Sequence, residues 1–158
     1  MNPENRDEIF MQQAIALSVS AVENGNEPFG AVLVKDGAVV YTNKNQIYTR
    51  KDPTFHAEFG LIRRFVEETG ITDLSDYTLY SSCEPCFMCC GAMVWTKLGR
   101  LVFAASDMDL CAILGVQGSA CSRIVFENSG ASVAVTQGVL REEALRVLEE
   151  YFSKHSKG

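Results

Sequence analysis

The sequence has no long apolar run: no hydrophobic segment reaches the roughly 20 residues that a helix needs to cross a bilayer. Its polar start, residues 1–7, lacks the apolar stretch of a secretory signal peptide, so we expect a cytoplasmic protein with no membrane partner. Low-complexity tracts, internal repeats and linkers are also absent. We therefore expect one domain over residues 1–158, long enough to bury roughly two thirds of its unfolded surface.

Basic residues are scarce as well. Lys and Arg number 14 against 20 Asp and Glu, which gives a net charge of −6. A protein that binds a long polyanion usually carries an excess of basic residues on one face. Here the basic residues are scattered, so nucleic acid is a disfavoured partner and we expect a small, neutral substrate.

Cysteine, in contrast, is plentiful. Four of the six cysteines lie in the short stretch from Cys83 to Cys90. In a chain expected to be cytoplasmic, such clustering indicates metal binding and free thiols, and not a disulfide framework.

Hydrophobic periodicity predicts alternating helices and strands. Residues 4–23 have helical spacing, and two β-rich runs, 30–34 and 38–41, flank an Asp-Gly pair that is typical of a hairpin. The remaining predicted elements are strands at 77–82, 100–105 and 131–136, helices that begin near 53 and 85, and helices over 108–114 and 141–152. This order predicts an α/β sheet with helices on both faces, whose last strand pairs in parallel.

One constellation of residues carries the chemistry. Cys86 and Cys89 are three apart, which puts both sulfurs on one face of their helix, and its first turn favours the thiolate form. His56 adds a third ligand for one zinc ion per chain. Three protein ligands leave a fourth tetrahedral position for water. Glu58, two residues after His56, can face the same cleft without binding the metal.

These residues suit a hydrolytic reaction, and their pattern H-x-E…P-C-x-x-C resembles the known signature of zinc-dependent base deaminases, so our hypothesis is hydrolytic deamination of an amino-bearing ring. Zinc lowers the pKa of bound water toward neutrality, and Glu58 removes a proton as hydroxide attacks the ring carbon. Glu58 then returns protons to the ring nitrogen and the departing ammonia. No organic cofactor is required.

A closed, structural zinc site is the alternative, with Cys83 or Cys90 as a fourth ligand. Such a site has no use for Glu58. Because Pro85 makes the helix begin after Cys83, that thiol is expected to point in a different direction, and Cys90 is expected to be a small apolar filler. We therefore favour the open site.

The chain resembles the cytidine deaminase-like superfamily, in the purine-acting branch of bacterial guanine deaminases and tRNA adenosine deaminases. The likeness covers nearly the whole chain and rests on residues 28–37, 52–58 and 82–92. The pattern H-x-E…P-C-x-x-C is the known signature of zinc-dependent base deaminases. The resemblance implies a five-stranded mixed sheet in a three-layer α/β/α sandwich and a homodimer. It also implies zinc bound by His56, Cys86 and Cys89, with Glu58 as the proton shuttle.

The resemblance implies further roles in binding the substrate. Asn45 matches an amide that reads the purine edge, Phe29 matches a residue that lines the base pocket, and the N–H of Ala57 contacts the base beside the metal. From the residues alone, Asn45 is equally well a turn residue, and Phe29 and Trp95 are expected in the core.

The substrate is less sharply defined than the chemistry. Guanine deaminases have a carboxylate after the short helix, where this chain has Gln117, which hydrogen-bonds a purine or triazine edge but cannot pair with a cationic group. We predict deamination of a free nucleobase, guanine or a related aminopurine or triazine. One alternative is a tRNA adenosine-to-inosine deaminase, which the tail from Gln137 resembles. The other is a non-catalytic protein with a structural zinc.

Overall fold

The computed structural model describes residues 2–155. Its helices and strands alternate along the chain, as the periodicity predicts. In chain order they are α1 (Pro3–Glu23), β1 (Gly30–Lys35), β2 (Ala38–Lys44), α2 (Ala57–Thr69), β3 (Tyr77–Cys83), α3 (Phe87–Trp95), β4 (Arg100–Ala105), α4 (Asp107–Leu114), α5 (Cys121–Glu127), β5 (Ala134–Gln137) and α6 (Arg141–Lys154).

The strands form one mixed sheet in the order β2-β1-β3-β4-β5. β1 is antiparallel to both β2 and β3, and β3–β4 and β4–β5 are parallel pairs. Asp36 and Gly37 join β1 to β2 with positive φ angles of 52° and 74°, the conformation of a tight hairpin turn. The predicted fold class is confirmed, including the parallel last strand.

Two hydrophobic cores cover the two faces of the sheet. Leu33, Leu79 and Leu101 point toward α2, α3 and α5, whereas Val32 and Val102 point toward α1 and α6. Successive strand residues alternate between faces, so each strand contributes to both cores. The result is the three-layer α/β/α sandwich.

A buried ion pair connects the first helix to three strands. Asp7 in α1 accepts hydrogen bonds from Tyr80 Oη at 2.6 Å and from both terminal nitrogens of Arg100 at 2.9 and 2.7 Å. Burial raises the pKa of Asp7, but the hydrogen bonds from Arg100 and Tyr80 outweigh this and hold it below its usual value. Arg100 also donates to Thr136 Oγ1 at 3.0 Å. One charged pair therefore fixes α1 against β3, β4 and β5.

Helix α2 begins later than predicted, at Ala57 and not at Pro53. The Asp52 carboxylate accepts hydrogen bonds from the N–H of Thr54 at 2.9 Å and from its hydroxyl at 2.7 Å. Such a local side-chain turn competes with helix formation. As a consequence, His56 becomes the N-cap residue of α2 and lies at its very start.

Four other elements also differ from the prediction. Strand β2 continues to Lys44, whereas the prediction ended it at residue 41. Helix α3 begins at Phe87, two residues after Pro85, so Cys86 is its N-cap. Helix α5 was not predicted, and β5 is short and begins at Ala134 where the prediction had residue 131. The seven residues of α5 have no strong helical signal of their own, and contacts with Glu84 hold its first turn in place.

Trp95 contradicts its predicted place in the core. It is the last residue of α3, and 87% of its surface is exposed. The apolar composition of α3 suggested burial all round, but the sheet covers only one side of this helix. Each helix within residues 2–155 is too short or too polar to span a membrane.

Candidate metal centre and active site

Three ligand atoms meet between the starts of α2 and α3. His56 Nδ1 lies 3.6 Å from Cys86 Sγ and 3.8 Å from Cys89 Sγ, and the two sulfurs are 3.7 Å apart. In a tetrahedral zinc site with bonds of 2.0–2.3 Å, neighbouring ligand atoms are about 3.5–3.8 Å apart. Two sulfurs and one imidazole nitrogen are also a typical donor set for zinc. The cluster fits one zinc ion without rearrangement.

The sheet brings these residues together at one of its ends. The carboxyl ends of the parallel strands β3 and β4 lead into α3 and α4 at this edge, where open α/β sheets usually bind ligands. Asn43 near the end of β2 donates from Nδ2 to the carbonyl of Ala57 at 2.9 Å. This buried hydrogen bond fixes the first turn of α2, and with it His56.

The three candidate ligands have pKa values shifted in different directions. The hydrogen bond between the Cys86 and Cys89 sulfurs, together with His56, lowers the pKa of Cys86 to about 4 despite its burial. The same hydrogen bond between the two sulfurs, together with burial, raises the pKa of Cys89. The hydrogen bond with Cys86 raises the pKa of His56. A bound divalent cation would replace the protons that the three ligands share.

The nearby cysteines lie outside the cluster of possible metal ligands in residues 2–155. Cys83 is the buried last residue of β3, and burial raises the pKa of its thiol. Cys90 is also buried, and its Sγ contacts the carbonyl of Pro85 at 3.3 Å. The geometry leaves three protein ligands and an open fourth position.

Glu58 lies in the first turn of α2, buried and beside the cluster without belonging to it. Burial raises the pKa of its carboxyl to about 7. A carboxyl group that titrates near neutrality can both accept and release a proton at physiological pH. This is the property that the predicted proton shuttle requires.

A cavity of about 200 Å³, here called the site cavity, opens over the cluster. It is lined by Glu27, Phe29, Asn45, His56, Glu58, Cys83, Glu84, Cys86, Asp107 and Leu110. Four of these ten residues are carboxylates, and no Lys or Arg of the described chain is among them.

The predicted substrate-binding residues are brought together only in part. Phe29 and Asn45 line the cavity, and Asn45 Oδ1 accepts hydrogen bonds from the N–H groups of Ile47 at 3.2 Å and Glu27 at 3.4 Å. Asn45 is thus a turn residue whose Nδ2, which has no acceptor within residues 2–155, remains available to a ligand. The contacts show that Asn45 is a turn residue, and its contact with a purine edge stays a prediction.

Two predicted residues lie outside the lining. Ala57 is fully buried behind it, although its N–H is the first of α2 and has no acceptor within the helix. Gln117 is exposed in the loop after α4, away from the other site residues. Its contact with the substrate stays a prediction.

Three carboxylates of the cavity were missed from the sequence. Glu84 accepts hydrogen bonds from the N–H groups of Asp107 at 2.9 Å and Ser122 at 3.0 Å, and from the Ser122 hydroxyl at 2.6 Å. Asp107 in turn accepts from the N–H of Ser119 at 2.9 Å. Of the three, only Glu84 could have been suspected from the sequence, because it lies within the cysteine motif. Glu27 and Asp107 are far from that motif in the sequence, and only the fold brings them to the cavity.

The residues of this site lie within the part of the chain that matches a known protein family. The family model described as the cytidine and deoxycytidylate deaminase zinc-binding region matches residues 4–105, which include His56, Glu58, Cys86 and Cys89. The chain belongs to this deaminase family. Its recognition from sequence is confirmed.

The names of the chain's relatives indicate two kinds of purine substrate, the base guanine and adenosine within tRNA. It is 43% identical to guanine deaminase of Bacillus subtilis over 103 residues, which are 65% of this chain and 66% of that protein. It is 33% identical to the tRNA-specific adenosine deaminase of the same organism, over 96% of this chain and 92% of that protein. One solved structure, of a protein in complex with 2,6-diaminopurine, has 26% sequence identity to this chain and a TM-score of 0.83. The alignment covers 95% of this chain and 83% of the chain in that structure.

The metal centre can be tested by zinc content. Purified wild-type deaminase is expected to hold about one zinc per chain after dialysis, and His56→Ala or Cys86→Ser to hold almost none, because two remaining ligands bind zinc weakly. Inductively coupled plasma mass spectrometry measures the ratio. Cys83→Ala and Cys111→Ser are matched controls that should keep their zinc. Complete loss of zinc in Cys83→Ala would favour the closed site.

Proposed function

We propose that this chain is a zinc-dependent aminohydrolase that deaminates a free nucleobase, guanine or a related aminopurine or triazine, with release of ammonia. The observation that carries the proposal is the site cavity. Its volume of about 200 Å³ lies below the range of roughly 300–1,000 Å³ for drug-sized ligands, and it therefore suits a single planar base.

The charge of the cavity supports the same substrate class. Glu27, Glu84 and Asp107 line the same cavity as Glu58, and no Lys or Arg of residues 2–155 belongs to that lining. Carboxylates accept hydrogen bonds from ring N–H and amino groups, but they repel phosphate. A neutral base rich in donors is therefore favoured over a phosphorylated ligand.

The reaction would use the residues of the chain as follows. His56, Cys86 and Cys89 would hold the zinc ion, which would supply a Lewis acid that lowers the pKa of water. Glu58 would accept a proton from the attacking water and give it to the ring nitrogen. It would then take the proton of the hydroxyl added to the ring carbon and pass it to the leaving amino group, so that the carboxylate is restored. Asn45 donates from Nδ2 to an acceptor on the base, and Phe29 packs beside the ring. Water and the amino base yield the oxo base and ammonia.

A second candidate function is adenosine-to-inosine editing of tRNA. Its support is the similarity to tRNA-specific adenosine deaminases over almost the whole chain. That function requires basic residues that neutralise phosphates, and it predicts tRNA binding that weakens steeply with salt. The acidic cavity and the net charge of −6 speak against it.

Glu58→Gln tests the catalytic assignment. We expect this variant to keep its zinc and to lose about 10²–10⁴-fold in kcat, because Gln cannot carry protons. Ammonia release is measured over guanine, isoguanine, adenine, cytosine, ammeline and the corresponding nucleosides, with tRNA in a parallel assay.

The outcomes of this panel separate the candidates. Unchanged turnover in Glu58→Gln contradicts the mechanism. Activity on tRNA alone supports the second candidate, whereas failure of every substrate in the zinc-loaded wild type favours a structural zinc.

The predicted homodimer also gains support from the surface of the protein. Trp95, at 87% exposure, lies on a face of α3 with Gly91 and Phe87, which is 52% exposed. A groove of about 440 Å³ between α2 and α3 adjoins it, lined in part by Arg63 and Glu67. We propose a second copy as the occupant, since Arg63 and Glu67 give this surface charges of both signs and a two-fold interface brings the same patch of each copy together.

Trp95→Glu is expected to separate the dimer. A buried Trp at the centre of an interface often contributes about 2 kcal/mol or more, so the dimer dissociation constant should rise by about 30-fold or more. Light scattering coupled to size exclusion should give twice the chain mass of 17.4 kDa for the wild type and the single mass for the variant. Val135→Glu, on exposed β5, is the control that should stay dimeric. A monomeric wild type would refute the proposal.

A further inference from the structure

Helix α4 forms part of the wall of the site cavity but has little packing of its own. Asp107 and Leu110 of this helix belong to the cavity lining. All of its residues are half-buried or exposed, whereas each of the other helices within residues 2–155 has at least three buried residues. Elements with few buried contacts open locally at a low free energy. Helix α4 therefore depends on polar contacts to keep its place.

One of these contacts comes from the start of α6. Arg141 donates from Nε to Oδ2 of Asp109 at 2.9 Å and from Nη2 to Oδ1 at 2.7 Å. Two parallel bonds of this kind fix the direction of the contact as well as its length. The hydrogen bonds from Arg141 lower the pKa of Asp109 to about 2, so this carboxylate stays charged wherever Glu58 exchanges protons.

Asp109 passes this contact on to the first turn of α4. Its Oδ2 also accepts a hydrogen bond from the N–H of Ser106 at 3.0 Å, and its N–H donates to Ser106 Oγ at 3.0 Å, which is the capping box of the helix. The N–H of the next residue, Asp107, donates to Glu84 at 2.9 Å. Arg141 thus acts on the turn that carries Asp107 into the cavity wall.

The backbone immediately before Arg141 is in a strained conformation. Leu140 has a φ of 54° and a ψ of 38°, a left-handed region that a Leu residue rarely adopts. Such strain persists only where the surroundings hold the residue in place. Leu140 packs against the core between the sheet and helices α1 and α6, and Asp109 binds the guanidinium of Arg141. The turn thereby directs Arg141 toward α4.

We propose that Arg141 is a positioning residue for the deamination: through Asp109 it holds α4 in place, so that Asp107 and Leu110 close one side of the site cavity. The inference rests on the proposed function and adds a residue that lies outside the cavity lining. Without the ion pair, α4 spends part of its time displaced, and only the remaining fraction of molecules has a complete cavity. The apparent KM rises in inverse proportion to that fraction, and the reaction of the bound base is unchanged.

Arg141→Gln tests this inference in the zinc-loaded enzyme, with the base of the panel above that the wild type deaminates fastest. We expect KM to rise about three- to tenfold and kcat to stay within about twofold, because a partly exposed ion pair makes a modest contribution. Zinc content should be unchanged, and the melting temperature should fall by no more than about 4 °C. Hydrogen exchange measured by mass spectrometry should become faster in residues 110–114 and stay unchanged in β3.

Matched variants separate positioning from a general loss of stability. Asp109→Asn keeps an oxygen for the capping box but removes the charge, so it should raise KM as Arg141→Gln does, and the double variant should be no worse than either single one. Arg141→Lys should recover part of the loss, since Lys keeps the charge but not the paired geometry. Arg146→Gln removes an exposed ion pair with Glu143 on the same helix and should leave KM unchanged.

The outcomes distinguish this inference from the proposed function. An unchanged KM in Arg141→Gln, or a loss confined to kcat that follows the loss of folded protein, overturns the inference and leaves the proposed function standing. Additive effects of Arg141→Gln and Asp109→Asn also overturn it. A zinc-loaded wild type that deaminates none of the substrates removes the proposed function, and this inference with it.

Discussion

The structure depends on one distance constraint, the meeting of three ligand atoms from the starts of two separate helices. His56 caps α2 and Cys86 caps α3, and their ligand atoms lie 3.6 Å apart. For this, the carboxyl end of β3 must lie at the same edge of the sheet as the loop that follows β2. It does, because β1 lies between β2 and β3 and is antiparallel to both, so that β2 and β3 run in the same direction. Zinc binding and sheet assembly are therefore expected to stabilise each other, because the ligands do not converge in an unfolded chain.

The second organising feature is the ring of carboxylates around the cavity. Buried charges are costly unless they accept hydrogen bonds, and the backbone supplies these for Glu84 and, from Ser119, for Asp107. The same bonds fix the loop before α5 against the site. Glu58 differs, since its burial raises its pKa and leaves it able to exchange a proton. Among the carboxylates of the cavity, Glu84 and Asp107 therefore fix the surrounding backbone, whereas Glu58 can exchange a proton.

The sequence reveals much of the fold and the chemical part of the site, because both depend on short-range patterns. The spacing of Cys86 and Cys89 indicates a pair of ligands on one helix face, and the known deaminase signature adds His56 as the third candidate. The Asp52 turn that delays α2, and the contact with Glu84 that supports α5, are tertiary or local hydrogen-bonding effects that periodicity does not capture. The exposure of Trp95 was missed because the apolar composition of α3 does not show which of its faces the sheet covers.

The central claim is an open site with three protein ligands. X-ray absorption spectroscopy at the zinc edge of the wild-type protein tests it most directly. The account predicts four-coordinate zinc with two sulfur ligands at about 2.3 Å and two nitrogen or oxygen ligands at about 2.0 Å, one of them exchangeable for a small anion. Three sulfur ligands and no exchangeable position would contradict it, because Cys83 or Cys90 would then close the site.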